Sequence, residues 1–400
     1  MYRRERKLLF ACARSLGSGR GGADAVAGLV RTSLDWDYVL ECAALNGLGP
    51  LLYSLLRDMD GAVPGGAMAR LQSAYYANGL RNSLFMAALE RVLGALQASG
   101  VDAVLLKGAA LAESHWGNVA LRPMADIDLL VREAALDRAE AALSSLGFAP
   151  EAGARREWYR RNHHHDAPWV DTAGGPMLEL HRDLVPPGFG VTADLGGIWQ
   201  RVRPARVGQA PALTLAPEDM VAHICLHTAL ADPLVGSVRS LMDLALVLGA
   251  ARHLDWDEFV NRANRDGWAR HAALTLAAAR RVCGAAVPSP VIMHLYRRSR
   301  MRAVRAFVLE QIAVQRSLRC PPGRSVVPDW VVVAAAEELL RPNGSFGAVP
   351  RAVRRAAEDP NWVARACALP ERLAPVRRVG ALALRALAAG SPPVPTRAGR

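Results

Sequence analysis

"LRPMADIDLLV", residues 121–131, carries two carboxylates, Asp126 and Asp128, inside a run that otherwise reads as a buried strand. An ionised side chain withdrawn from water costs several kcal/mol unless a cation, hydrogen-bond donors or residual solvent compensates it. Strand side chains alternate, so Asp126 and Asp128 share one face while Ile127 and Leu129 turn to the other. Two carboxylates a few ångströms apart repel, and one is pushed toward protonation unless a cation lies between them. A divalent ion resolves that conflict. Hard oxygen ligands in low number favour Mg²⁺, which keeps waters and takes its remaining ligands from phosphates. The plain alternative is a pair of exposed acids at a strand end, bridged to Arg122 or Arg132.

The flanking segments weigh against that alternative. Upstream, "VDAVLLKG" (101–108) reads as a short buried strand ending on Lys107-Gly108, followed by a helix or turn through "AALAESHWG". Gly permits close approach of a phosphate, and the start of the next helix favours an anion. Downstream come a helix, "AALDRAEAALSSLGF", and two strand patterns, 162–170 and 176–184, joined by the turn-forming "DTAGG". Glu179 stands in the second of these between Leu178 and Leu180, and His181 shares its face. Sheet pairing could bring Glu179 beside the aspartates as a third acid.

Around this α/β unit the chain reads as helical. Apolar residues recur every three or four positions over 36–56 and 81–100, and again from Pro217 to about residue 389. The reading divides the chain into an N-terminal helical region (1–98), an α/β core (99–215), a C-terminal helical domain (216–389) and a disordered tail (390–400). Half of the 400 residues are apolar, as in a folded protein. The longest apolar candidate, "WVVVAAAEELL" from Trp330, is cut by Glu337 and Glu338, so no membrane span is expected. Near the N-terminus, the apolar stretch closed by Arg14 is short for a signal peptide. Six cysteines without a C-x-x-C pair suit a reducing cytoplasm and argue against a zinc ribbon or disulfide framework.

Of 49 basic residues only Lys7 and Lys107 are lysines. A lysine in the interior of so arginine-biased a chain points to a place where a compact charge serves and a forked one does not. The net charge is +12, and residues 351–400, with ten arginines against three acids, supply +7 of it.

The order strand, Lys-Gly, helix, strand with Asp-x-Asp, hairpin with Glu resembles the polymerase-beta-type nucleotidyltransferase superfamily. More closely, "VLLKGAALAESHWGNVALRPMADIDLLV", "EAALSSLGF", "LELHRDL", "LAPEDMVAHICLHTAL" and "RSLMDLALVL" resemble a bacterial family of uncharacterised nucleotidyltransferases, over roughly residues 36–285. The resemblance implies an α+β fold, with a small mixed-sheet, palm-like core flanked by N-terminal helices and a larger helical region. It also implies that Asp126, Asp128 and Glu179 hold Mg²⁺ or Mn²⁺, and that Lys107 and Gly108 contact the triphosphate of an NTP, by default ATP. One of the acids would draw the proton from an acceptor hydroxyl on a small molecule, peptide or protein. The superfamily usually places Gly-Ser or Gly-Gly at the phosphate turn, whereas this chain has Gly108-Ala109, and its step from Gly108 to Asp126 is long. Lys107 or Arg122 is expected to compensate.

"HHHD" (163–166) invites a metal reading, but on a strand His163 and His165 take one face and His164 the other. The run is therefore expected to bring His165 or His163 beside Glu179 and His181, facing nucleotide or acceptor, rather than to form a transition-metal centre of its own. His223 and His227, four apart on a helix, lack the intervening Glu of H-E-x-x-H and read first as packing residues. Arg239 and Asp243 read as a pair within or between helices. The arginine clusters at 297–305 and 351–378 admit RNA, but without interleaved aromatics they read equally as solvated helix faces. Catalysis is the leading expectation. The alternatives are an inactive nucleotide- or partner-binding scaffold of the same fold, and an RNA-directed enzyme or toxin.

Overall fold

The computed structural model describes residues 3–319 and 321, apart from 19, 60, 154–155, 231–236, 252 and 299–302. The part of the expected C-terminal helical domain between 322 and 389, the tail 390–400, "WVVVAAAEELL" and the arginine cluster 351–378 lie outside the described residues.

Five helices come first: α1 (Arg3–Ser18), α2 (Arg20–Val30), α3 (Trp36–Asn46), α4 (Gly49–Leu56) and α5 (Gly65–Ala98). Asp35 caps α3 by accepting from the Tyr38 amide. The helical pattern over 36–56 breaks at Gly47, whose φ of +68° is the left-handed geometry of a helix C-cap. The pattern over 81–100 is the second half of the 34-residue α5, which buries Leu89, Val92, Leu93 and Leu96. The basic-apolar start of the chain packs as α1, with Leu8, Leu9, Cys12 and Ala13 buried.

The α/β part runs β1 (Val104–Leu105), α6 (Lys107–Leu111), β2 (Asp126–Leu130), α7 (Leu136–Ser145), β3 (Phe148–Pro150), α8 (Arg156–Asn162), β4 (Trp169–Asp171), β5 (Met177–His181), α9 (Leu195–Arg201), β6 (Arg203–Val207) and β7 (Ala210–Thr214). The strands form one mixed sheet in the order β3-β4-β5-β2-β1-β7-β6. Central β2 lies antiparallel to β1 and parallel to β5. Its last four residues are buried, as the apolar run requires. The helices α10 (Pro217–Leu230), α11 (Val238–Ala250), α12 (Trp256–Arg265), α13 (Ala269–Cys283), α14 (Ser289–Arg298) and α15 (Ala303–Arg316) follow. The fold is α+β, with helices on either side of the sheet segment in sequence. Among the described residues no helix is long and apolar enough to cross a membrane.

One strand expectation changes, and three strands have no counterpart in the sequence patterns. The strand over 162–170 shrinks to Trp169–Asp171, because "REWYRRN" forms α8 and the histidine run spends its backbone elsewhere. The His164 carbonyl accepts from the Arg182 and Asp183 amides, and His165 forms an isolated bridge to His181. The hairpin β6–β7 and the short β3 carry no buried alternation that a sequence pattern could register; β6 is an edge strand with Arg203, Pro204 and Arg206 exposed.

Candidate active site

The parallel pairing of β2 and β5 sets Asp128 directly opposite Glu179, with Asp126 opposite Met177. Asp126, Asp128, Glu179 and His181 therefore share one face of the sheet. The adjacent antiparallel strand β1 delivers Lys107, whose Nζ is 3.0 Å from Asp128 Oδ1. His181 Nε2 approaches the same oxygen to 2.8 Å and Glu179 Oε2 to 3.5 Å. Lys107 is the one non-glycine residue at positive φ among the described residues, at +41°. A left-handed lysine at this turn is backbone strain at the point where the chain must aim its charge.

The electrostatics follow from burial opposed by these partners. Burial pushes the Asp128 carboxyl up, yet Lys107 and the His181 hydrogen bond hold it well below the usual carboxylate range. Burial opposes the charge on Lys107, but Asp128, Asp126 and Glu179 together keep its pKa raised. His181 is raised likewise, its hydrogen bonds to Asp128 and Glu179 outweighing burial. Glu179 is lowered, with His181 and His165 overcoming its burial. Asp126 goes the other way: burial, then the neighbouring Asp128, push it up to about 6. One acid of the pair is thus short of positive charge. Asp128, Glu179 and His181 also bring one ligand atom each within 4.8 Å of one another. The carboxylates of this group fit a divalent cation, with His181 as the hydrogen-bond donor that holds them together.

Arg122 is paired with a buried acid. Its Nε and Nη2 make a bidentate pair with Asp243 on α11, at 2.9 and 2.7 Å, and Asp243 also accepts from Trp116 Nε1 at 2.8 Å. All three side chains are buried. The expected Arg239–Asp243 pair is accordingly replaced by Arg122–Asp243. A Cβ on Gly108 would come within 2.5 Å of Arg122 Nη1 and 3.1 Å of Met124 Cγ, so here glycine makes room for this buried arginine. Arg239 donates instead to the Pro123 carbonyl at 3.2 Å and opposes the upward shift of Asp126. Sequence reading missed it as a neighbour of the acids, because helical spacing offered Asp243 as its partner.

Off the strand, the three histidines 163–165 gather instead of alternating, and their ligand atoms lie within 4.8 Å of one another. His165 Nε2 faces Glu179 Oε2 at 3.9 Å. His223 and His227 on α10 are electrostatically coupled to Lys107, Asp128 and His181. Burial, then Lys107, push His223 down to about 3 and His227 down as well, so both are neutral at pH 7. They back the site, and their rings stand 6.3 Å apart.

A family described as uncharacterised nucleotidyltransferase matches residues 32–284, which is well over half of the chain and contains every residue of this site. No curated protein and no solved structure matches. Membership supports nucleotidyl transfer as the general chemistry, with a nucleotide as substrate; it names no acceptor. With its acidic face set beside Lys107 and its match running from α3 to α13, the chain belongs to the uncharacterised nucleotidyltransferase family.

Proposed function

We propose that the chain is a metal-dependent nucleotidyltransferase that moves a nucleoside monophosphate, by default AMP from ATP, to a hydroxyl acceptor with release of pyrophosphate. The observation that carries this reading is the register that sets Glu179 against Asp128 on the face that also bears Asp126. A scaffold has no physical need of three converging carboxylates, whose mutual repulsion opposes folding. Asp126, Asp128 and Glu179 would hold Mg²⁺ or Mn²⁺, which when bound supplies the positive charge that neutralises the phosphates. Lys107 offers its compact charge to the triphosphate, and Gly108 and Arg122 set the turn that aims it. The acceptor oxygen forms a bond to the α-phosphorus while the bond to the bridging oxygen of the β-phosphate breaks. The hydroxyl proton passes to Glu179 or to one of the aspartates. Within this reading residues 99–215 form the catalytic core, and the flanking helices, to 98 and from 216, shape the acceptor site.

Two measurements test it. ATP binding in the presence of Mg²⁺ or Mn²⁺ should be metal-dependent in the wild type and lost in Asp128→Asn; equal binding by both proteins would remove the acidic pair from the mechanism. With α- and γ-labelled NTP and cell extract, label should pass to an acceptor from the α position. Transfer from the γ position alone would make the reaction a phosphoryl transfer.

A further inference from the structure

We propose that His165 joins Glu179 as a nitrogen ligand of the ion at this acidic face, which makes the centre a mixed imidazole and carboxylate site for a first-row transition ion rather than an all-oxygen magnesium site. The inference rests on the metal-dependent reading above and names the metal class that the site selects.

Hydrogen-bond direction carries the argument. His165 Nδ1 lies 2.7 Å from the Asp166 carbonyl oxygen. A carbonyl only accepts, so Nδ1 bears the hydrogen, and in the neutral ring Nε2 presents its lone pair. That lone pair faces Glu179 Oε2 at 3.9 Å. The separation is well beyond the roughly 2.7–2.9 Å of a charge-assisted hydrogen bond. Two electron-pair donors oppose each other across a gap, and a cation reconciles them. Metal-to-nitrogen and metal-to-oxygen bonds of about 2.1 Å span up to about 4.2 Å, so one ion can join both atoms. Tying the far ring N–H to a carbonyl is also how proteins orient a metal-binding imidazole.

The ring is held for this role. His165 is 8% exposed. Its backbone bridges to His181, the Asp166 amide donates to the Leu180 carbonyl, and the Asp166 carboxylate is paired with Arg156 and Arg160. His181 has a different part. Its Nε2 already contacts Asp128 Oδ1 at 2.8 Å, so it acts as the donor that positions the two acids. One imidazole among carboxylates shifts preference from Mg²⁺ toward Mn²⁺, Co²⁺ and Zn²⁺.

Co²⁺ is the probe. Titration of the full chain, followed by the visible absorption of the ion, should give one bound Co²⁺, displaced by Mg²⁺ only in large excess. His165→Gln should weaken Co²⁺ at least tenfold and alter its spectrum, with folding checked by circular dichroism, and Asp128→Asn should abolish binding. In wild-type protein loaded with Zn²⁺, ring ¹⁵N shifts should show His165 metallated at Nε2 and protonated at Nδ1, a readout that needs no variant. Wild-type affinity and spectrum in His165→Gln, or an unshifted Nε2, would overturn the inference while leaving the carboxylate site standing. Absence of any metal binding in the wild type would overturn both.

Discussion

Replacing Asp243 by Ala should cost about 4–6 kcal/mol of folding stability, a figure set by what the substitution strands. Arg122 and Asp243 have side chains 8% and 3% exposed, joined by two hydrogen bonds of 2.9 and 2.7 Å. Removing one partner of a buried pair leaves an uncompensated charge and costs about 3–5 kcal/mol. The Trp116 indole N–H, 2.8 Å from the same carboxylate, is orphaned as well and adds about 1 kcal/mol. Against a whole-domain stability of about 5–15 kcal/mol, this loss removes roughly a quarter of the total or more. Because Arg122 immediately precedes the segment that enters β2, the site should loosen with it. The assay is urea unfolding followed by tryptophan fluorescence, read as a fall in midpoint at constant slope. The double variant Arg122→Met, Asp243→Leu removes both charges and their desolvation together, so it should lose less than Asp243→Ala alone. A cost below about 1 kcal/mol for Asp243→Ala, or a double variant whose loss equals the sum of the two singles, would refute the reasoning.

Three further outcomes are expected. Gly108→Ala should destabilise by about 1–3 kcal/mol in thermal or urea unfolding, because the new methyl meets an Arg122 guanidinium that Asp243 holds in place; a neutral effect would mean that Arg122 can yield. Lys107→Ala should weaken metal-dependent ATP binding at least tenfold by calorimetry, and Lys107→Gly should be more stable than Lys107→Ala by about 1 kcal/mol, since only glycine holds φ +41° without strain. The third concerns His271, buried in α13 and pushed down to about 3 by burial and then by Arg270. The unfolded chain protonates this group near 6.5 while the folded chain does not, so stability is full above about pH 6.5 and declines on acidification toward pH 3, by up to about 1.4 kcal/mol per pH unit. His271→Leu should flatten that decline in urea midpoints measured from pH 7.5 to 4.5. An unchanged slope would place the acid sensitivity elsewhere.

The fold and its acidic face were legible in the sequence wherever a local period carried the information. Alternation in "DIDLL" put Asp126 and Asp128 on one face, and "LELH" did the same for Glu179 and His181, because a strand's two-residue period is a property of the backbone alone. The rarity of lysine singled out Lys107, which the structure sets 3.0 Å from Asp128. The edge hairpin β6–β7 escaped because its exposed side chains need not alternate. The histidine run was misread as strand because its backbone is claimed by residues 181–183, contacts that no local pattern records.

Partnership between distant residues was decided in three dimensions. Nothing near Arg122 in sequence announces Asp243, 121 positions away, and helical spacing nominated Arg239 instead. Which of several arginines spends its charge on a buried acid, and which stays near Asp126, depends on how α11 packs against the segment before β2. The tautomer of His165 is of the same kind, since it follows from a carbonyl that the fold brings to Nδ1. Sequence by itself determined the residue types, their faces and the family. Tertiary packing determined their partners, because the energy of a charge or a hydrogen bond lies in the separation between two groups, and that separation is not local to either.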